Sequence, residues 1–421
     1  MSDSLDSRNP PHPTRIAALL ALLAMFGPFA IDAFFPAFHA VGAALGASDF
    51  AMQQTISVYL VAYAAMSLLH GPLSDAYGRR VVMLTGVVAF TLASIGCALA
   101  TSLEMLLVFR ALQGFAVGSG LIVGRALTRD LYDGAQALKV QSLITLFFSV
   151  APVLAPIVGG VVYTLAGWRA VFWFLALYGA ALALLCQRAL PETHPPAART
   201  PFALKPLFAV YRVIALDLRF FLLAASTGFN FGAFWLYISS APAFVERILG
   251  LGTHDYVWFF GPCILGMMTG AALANRLAGR VAARTTVRIG YTISVVAMSA
   301  NLAYWMVIGT PTVPWAVLAI AANSIAISLI FPTLSLKMLD RYPRNRGAAS
   351  SVQAMIWGVM TSLVAALMSP ALSGSGRMLA VGAALLAAAG FACWYAYARL
   401  TPAGAAAPVM TPKLEEPVEP V

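Results

Sequence analysis

Charge is scarce in this sequence: Asp, Glu, Lys and Arg make up only 10% of its 421 residues, where an average soluble domain holds about a quarter. Hydrophobic residues make up 61% and the mean hydropathy is +0.83. Such a chain has too little polar surface to wrap a water-facing core. That excludes an ordinary soluble fold and makes lipid its main solvent. Cysteine is sparse too: Cys97, Cys186, Cys263 and Cys393 all fall within or at the ends of apolar segments. No disulfide framework is indicated, and packing accounts for them better. The five histidines, His12, His39, His70, His194 and His254, lie in tails, loops or span ends. None forms a metal-spaced pair and no nucleophile motif accompanies them, which argues against a metal centre and a membrane-embedded enzyme. No cleaved signal is expected in Met1–Arg15, which is polar, carries three prolines and lacks a basic stretch or small-residue cleavage site. The first apolar run is expected to act as an uncleaved insertion signal, and the Pro-, Ala- and Glu-rich end, 401–421, to be disordered.

What the chain does have is apolar runs of membrane-crossing length. A bilayer core of about 30 Å takes roughly twenty helical residues. Runs of that kind centre on 16–37, 51–71, 81–100, 103–125, 137–163 and 168–189, then on 218–244, 255–276, 287–308, 313–337, 347–371 and 378–399. The expected fold class is an all-α membrane protein of twelve transmembrane helices in two six-helix bundles. The net charge of +10 could suggest nucleic acid or acidic partners, but the basic residues cluster in every second loop. With a cytoplasmic N-terminus, 22 of the 26 fall inside, Arg169, Arg247 and Arg377 fall outside, and Arg110 lies in a span. This is the positive-inside pattern, and a missed or extra span would scramble it. Both termini are therefore expected in the cytoplasm, with no nucleic acid as partner. The longest interior loop, about Pro191 to Asp217, is polar, proline-bearing and basic. It divides the chain into a tail (1–15), a bundle (16–189), a linker (190–217), a second bundle (218–399) and a tail (400–421). Each half has a basic loop after its second span, GPLSDAYGRR at 71–80 and ANRLAGRVAART at 274–285. Parallel six-helix repeats are a transporter architecture, with the substrate site between the halves near the midplane.

Two charges interrupt the apolar runs, Asp32 in FGPFAIDAFFPAF and Arg110 in LVFRALQGF. A charge at mid-bilayer costs about 2.5–3.5 kcal/mol even on insertion scales. Desolvation and a nearby cation act on a carboxyl's proton in opposite senses, and a carboxyl poised between them can load and release it. Asp32 could instead lie near enough to the outer surface to be solvated. Arg110 could be a post that hydrogen-bonds neighbouring carbonyls, a role compatible with coupling. In the fifth run, APVLAPIVGG at 151–160, Pro152 and Pro156 interrupt the helical ladder while Gly159 and Gly160 permit close packing. Gly114, Gly118 and Gly124 form a stripe in the fourth run; it departs from dinucleotide-loop spacing and follows no strand, so packing explains it.

These residues resemble the major facilitator superfamily, and within it the twelve-helix drug:proton antiporters of the bicyclomycin-resistance and chloramphenicol-efflux (Bcr/CflA) type, over roughly 16–399. GPLSDAYGRR looks like the superfamily's motif A. The resemblance implies that Gly71 packs on the eleventh helix and that Asp75, Gly78, Arg79 and Arg80 form a conformational gate with an acid at the end of the fourth helix, here Asp130. Asp75 would then meet the positive end of the eleventh helix and hold an outward-facing state closed. Ala76 and Val81 depart from the motif's usual basic residue and proline. RALQG at 110–114 resembles the antiporter motif B, which implies a proton-transfer role for Arg110. AIDAFFPAF resembles the subfamily's first-helix pattern, which points to Asp32 as proton carrier. The fifth run looks like motif C in Pro156, Gly159 and Gly160, whereas Ala151 and Ala155 stand where glycine is usual; motif C separates exporters from importers.

The expected function is a proton-coupled multidrug efflux antiporter of the bacterial inner membrane. It would export small amphipathic toxic compounds by alternating access, as a monomer, with drug-like molecules, protons and the lipid bilayer as partners. No cofactor is expected; the proton gradient is the energy source. From helix position, Phe35, Asn230, Phe234, Trp235, Asn323 and Gln353 are candidates for the substrate cavity, with plain packing as the alternative for each. A proton-coupled transporter of a specific metabolite, such as an amino acid or dipeptide, remains the main rival. A membrane enzyme or channel is more remote.

Overall fold

The computed structural model describes residues 13–132, 134–199, 201–343 and 345–401. Arg8, Arg344, Lys413 and the tail expected to be disordered beyond Thr401 lie outside the described residues. Every regular element among those described is helical. In hydrocarbon this follows from the backbone, because only a helix or a closed barrel satisfies its own polar groups. The chain runs through Pro13–Asp32 (α1), Phe38–Leu45 (α2), Asp49–Tyr77 (α3), Arg79–Ala98 (α4), Leu103–Leu131 (α5), Gly134–Ala166 (α6) and Trp168–Ala189 (α7). It continues through Leu204–Ala215 (α8), Leu218–Ser239 (α9), Val257–Leu277 (α10), Ala283–Val307 (α11), Trp315–Asp340 (α12), Arg346–Leu372 (α13) and Gly376–Leu400 (α14). With α1 and α2 taken as one interrupted rod and α8 set aside, these are twelve long helices among the described residues. Ten are long and apolar enough to cross a membrane unaided, and Val150–Ala166 adds a shorter apolar stretch. The remaining rod, α11, carries Tyr291, Ser294 and Asn301 on its buried face. Serine side chains start three of the rods: Ser48, Ser102 and Ser375 accept from Ala51, Met105 and Met378 backbone N–H groups.

The chain divides into two compact units, Met1–Pro201 and Phe202–Val421. In the first, α3 and α4 pack on α5, α4 packs on α7, and α1 packs on α6. The second repeats this pairing rod for rod: α10 and α11 pack on α12, α11 on α14, and α9 on α13. The repeat glimpsed in two basic loops thus extends to helix-pair topology.

Four details differ from the sequence expectation. The first run, 16–37, is not one helix, since α1 stops at Asp32 and a 3₁₀ turn, Phe35–Ala37, precedes α2. Pro36 is the cause. It has no N–H to offer the Asp32 carbonyl four residues back, and its ring crowds that carbonyl. GPLSDAYGRR is hardly a loop: α3 continues to Tyr77 and α4 starts at Arg79, leaving Gly78 as the whole connection, with φ +102°. The seventh run is helical to Ser239 and then continues as a π-helical stretch, Pro242–Ile248. The linker holds an amphipathic helix, α8, which its prolines and basic residues concealed.

Candidate functional site

The break in the first rod brings the intramembrane charges together with the backbone. Asp32 is the last residue of α1 and is only 4% exposed, which removes the surface-solvated alternative. Arg110, on α5, is fully buried. Its Nη1 donates to the Ala30 carbonyl at 2.8 Å and to Gln113 Oε1 at 2.9 Å, and its Nε donates to the Thr55 carbonyl at 3.2 Å. Ala30 lies in the last turn of α1, where carbonyls lose their helical partners and the negative end of the helix dipole favours a cation. The guanidinium also lies over the Tyr59 ring, 4.7 Å from its centroid, and 5.6 Å from that of Phe34. Its third nitrogen, Nη2, has no hydrogen-bond partner among the described residues. No ion pair joins it to Asp32 among them either.

Further side chains hold this arrangement in place. Gln113 Nε2 donates to Ser94 Oγ at 2.8 Å, the Cys97 thiol points at Gln113 Oε1 at 3.7 Å, and the Tyr59 hydroxyl donates to the Gly27 carbonyl at 3.2 Å. Arg110 therefore ties α1, α3 and α5 together, and Gln113 extends the tie to α4. Gly159 of α6 packs against the break itself, where a Cβ would collide with the Ala33 backbone. Gly160, Pro152 and Pro156 lie on the same helix, which stays unbroken through both prolines. In the α5 stripe, a Cβ at Gly114 would meet the Tyr59 carbonyl and one at Gly118 the His70 ring, whereas Gly124 has only ordinary contacts.

At the basic end of the first unit, Arg79 bridges two acids. Its Nη1 meets Asp75 Oδ1 and Ser74 Oγ, both at 2.5 Å, and its Nε meets Asp130 Oδ2 at 3.1 Å. Gly71 accepts from the Ser74 hydroxyl at 2.8 Å. Arg80 turns away and donates to the Gln187 carbonyl at 2.6 Å. Two residues of this cluster, Glu192 and Thr193, stood outside the expected gate. Glu192, just beyond α7, accepts from the backbone N–H groups of Arg79 at 2.9 Å and Arg80 at 3.3 Å, while Thr193 donates to Asp130 Oδ2 at 2.9 Å. A carboxylate at a helix N-terminus satisfies unpaired donors and the dipole together. Gly78 is required here twice over, by its positive φ and because a Cβ would strike Glu192. The signal that could have found Glu192 is its place as an acid directly after the sixth run, in LPET.

The six cavity candidates are all buried. Phe35 sits in the 3₁₀ turn after Asp32. Asn230 Nδ2 donates to Ser294 Oγ at 3.1 Å, which in turn donates to Asn323 Oδ1 at 2.7 Å, linking α9, α11 and α12. Gln353 accepts from Ser335 at 2.9 Å. Phe234 and Trp235 surround Phe231, which also touches Trp357.

The second unit has its own charged fastening, also missed by the sequence reading. Asp217 caps α9 through the Arg219 N–H and pairs with both Arg341 Nε and Nη2 and with the Tyr342 hydroxyl at the end of α12. Burial pushes the Asp217 carboxyl up, but the hydrogen bonds from Arg341 and Tyr342 and the Arg341 charge outweigh it and hold the group below its ordinary value.

The family model of the Major Facilitator Superfamily matches residues 20–365. The chain belongs to the major facilitator superfamily. Among its relatives, the MFS-type transporter YdgK of Bacillus subtilis is 30% identical over 84% of this chain and 88% of its own length. A bicyclomycin resistance protein homolog of Haemophilus influenzae is 28% identical over 83% of this chain and 88% of its own. A solved bacterial homolog of the human lysosomal transporter Spinster superposes with a TM-score of 0.70 at 17% identity, covering 92% of this chain and 97% of that one. The twelve rods are thus those of a major facilitator. The protein is a multi-pass membrane transporter and not an enzyme.

Proposed function

We propose that this major facilitator is a proton-coupled antiporter that exports small, amphipathic toxic compounds from bacteria. The relative named for bicyclomycin resistance supports a drug-like cargo. The observation that carries the coupling is the Arg110 guanidinium, seated on the broken end of the helix that terminates in Asp32. In this reading Asp32 takes a proton from outside and releases it inside. Loss of the proton leaves a carboxylate at the end of the helix whose last turn holds a guanidinium with one nitrogen unpaired, and the non-helical residues after Asp32 let the two halves of the first rod respond separately. A charge change at Asp32 would thereby bias the outward- and inward-open populations, by as much as its interaction differs between them. The Asp75–Arg79–Asp130 cluster, capped by Glu192, would hold the gate at the basic, cytoplasmic side. The gradient is the sole energy source in this scheme, and the working form is a monomer with both termini cytoplasmic.

Proteoliposomes loaded with a pH-sensitive dye test the proposal against a panel of amphipathic drugs and, separately, amino acids and dipeptides. Drug-driven proton release is expected in the wild type and absent in Asp32→Asn, with drug binding retained. Unchanged proton flux in Asp32→Asn would sink the coupling role, and flux driven by amino acids or dipeptides in place of drugs would reassign the cargo.

A further inference from the structure

Helix α8 has a face that the rest of the described protein leaves open. It buries Val210, Tyr211 and Ile214 on its own unit, against α13 and the start of α9. Successive residues turn by about 100°, so Leu204 and Phe208 share the edge beside that buried face. They are 48% and 50% exposed. The next strip holds Lys205 and Arg212, both exposed, and Ala209 and Val213 lie beyond it. No acidic residue occurs in α8. An apolar edge bordered by a cationic strip is the pattern of a helix lying in a membrane interface, with basic side chains reaching headgroups while their stems cover acyl chains.

The level of α8 relative to the bilayer follows from its neighbours. Only Leu216 and Asp217 separate it from the membrane rod α9, and Asp217 is fastened to Arg341 at the end of the rod α12. Leu218 and Phe221, in the first turn of α9, are exposed at 58% and 47%, as lipid-facing residues are. Helix α8 therefore leaves the bundle at the plane where two spans end, and on the face that carries most of the basic residues. We propose that α8 is an interfacial helix, seated with Leu204 and Phe208 in the acyl boundary and with Lys205 and Arg212 bound to anionic phospholipid headgroups.

Full-length protein in nanodiscs of phosphatidylcholine, with and without phosphatidylglycerol, tests this. Spin labels are placed at Phe208→Cys or Val213→Cys in a Cys393→Ser background, since Cys97, Cys186 and Cys263 are buried. Oxygen and water-soluble nickel accessibilities then read depth. The Phe208 label is expected to be oxygen-accessible and deeper when phosphatidylglycerol is present, and the Val213 label to be nickel-accessible. Adding Lys205→Gln and Arg212→Gln should remove the effect of phosphatidylglycerol and lower its enrichment around the protein by about tenfold or more. A Phe208 label equally water-exposed in both lipids overturns the proposal. So does a depth indifferent to phosphatidylglycerol, or protection of the label that persists in detergent and so comes from protein.

Discussion

Pro36 decides where Asp32 ends up. By withholding an N–H from the Asp32 carbonyl it makes Asp32 a helix terminus, and in that last turn the Ala30 carbonyl accepts from Arg110. Gly159 completes the arrangement by letting α6 lie directly on the Ala33 backbone. Backbone cannot swing aside as a flexible side chain can, so Gly159→Leu is expected to cost up to about 3 kcal/mol. A clear fall in the melting temperature of the detergent-solubilised protein would register it; an unchanged one would mean that the contact is slack. At this scale the sequence speaks through rarity. Asp32 and Arg110 stand out because charge in an apolar run is costly. Ser94, Gln113 and Tyr59, which hold Arg110, do not stand out, because an uncharged polar residue in a span looks the same whether it packs, bridges helices or supports a charge. Asn230 and Asn323 carried the same ambiguity, and their place in a helix-to-helix chain could be learned only from the three rods together.

Among elements, most of the ordering comes from how helix ends are met. Glu192 caps α4 from a segment more than a hundred residues downstream. Glu192→Ala should lose about 1 kcal/mol of stability and, by loosening the backbone that aims Arg79 at Asp75 and Asp130, slow drug efflux. Melting temperature and vesicle transport measured side by side would check this, and wild-type values in both would remove Glu192 from the gate. In the second unit, the Asp217 carboxyl titrates below its unfolded value of about 3.9. A depressed carboxylate contributes stability that is complete above the unfolded value and is lost as pH falls through the folded one. Melting should hence be insensitive to this clamp from neutral pH down to about 5 and fall below about 4. Arg341→Ala, which strands a buried carboxylate, should cost about 3 kcal/mol and abolish that acid step. If the acid step survives the substitution, another group causes it. Neither fastening was legible in the sequence, since each joins residues distant along the chain. The linker concealed α8 for a different reason: its basic and proline residues read as loop, while its buried face spans only three positions.

For the whole molecule, the twelve-rod count rested on two independent patterns, apolar length and the alternation of basic loops. The twelve rods are present among the described residues, although the first is interrupted and only ten are long and apolar enough to cross a membrane unaided. Orientation is a separate matter and has a direct test. A periplasm-dependent phosphatase fused after Gly250 or Gly309 should be active, and one fused after Gly279 or Thr401 inactive; the reverse pattern would invert the topology.

The repeated pairing of rods has a consequence for how the two copies can respond to their surroundings. In the first, the paired rods enclose a carboxylate and a guanidinium, Asp32 and Arg110. In the second, the corresponding rods α9, α11 and α12 enclose an uncharged chain of Asn230, Ser294 and Asn323, and the buried charges among its described residues, Asp217 and Arg341, sit at its edge. A repeated scaffold thus holds charge in the interior of one copy and uncharged polar groups in the interior of the other. If Asp32 carries the proposed proton, then among the described residues a change of acidity would reach the interior of the former and leave the polar interior of the latter unaltered.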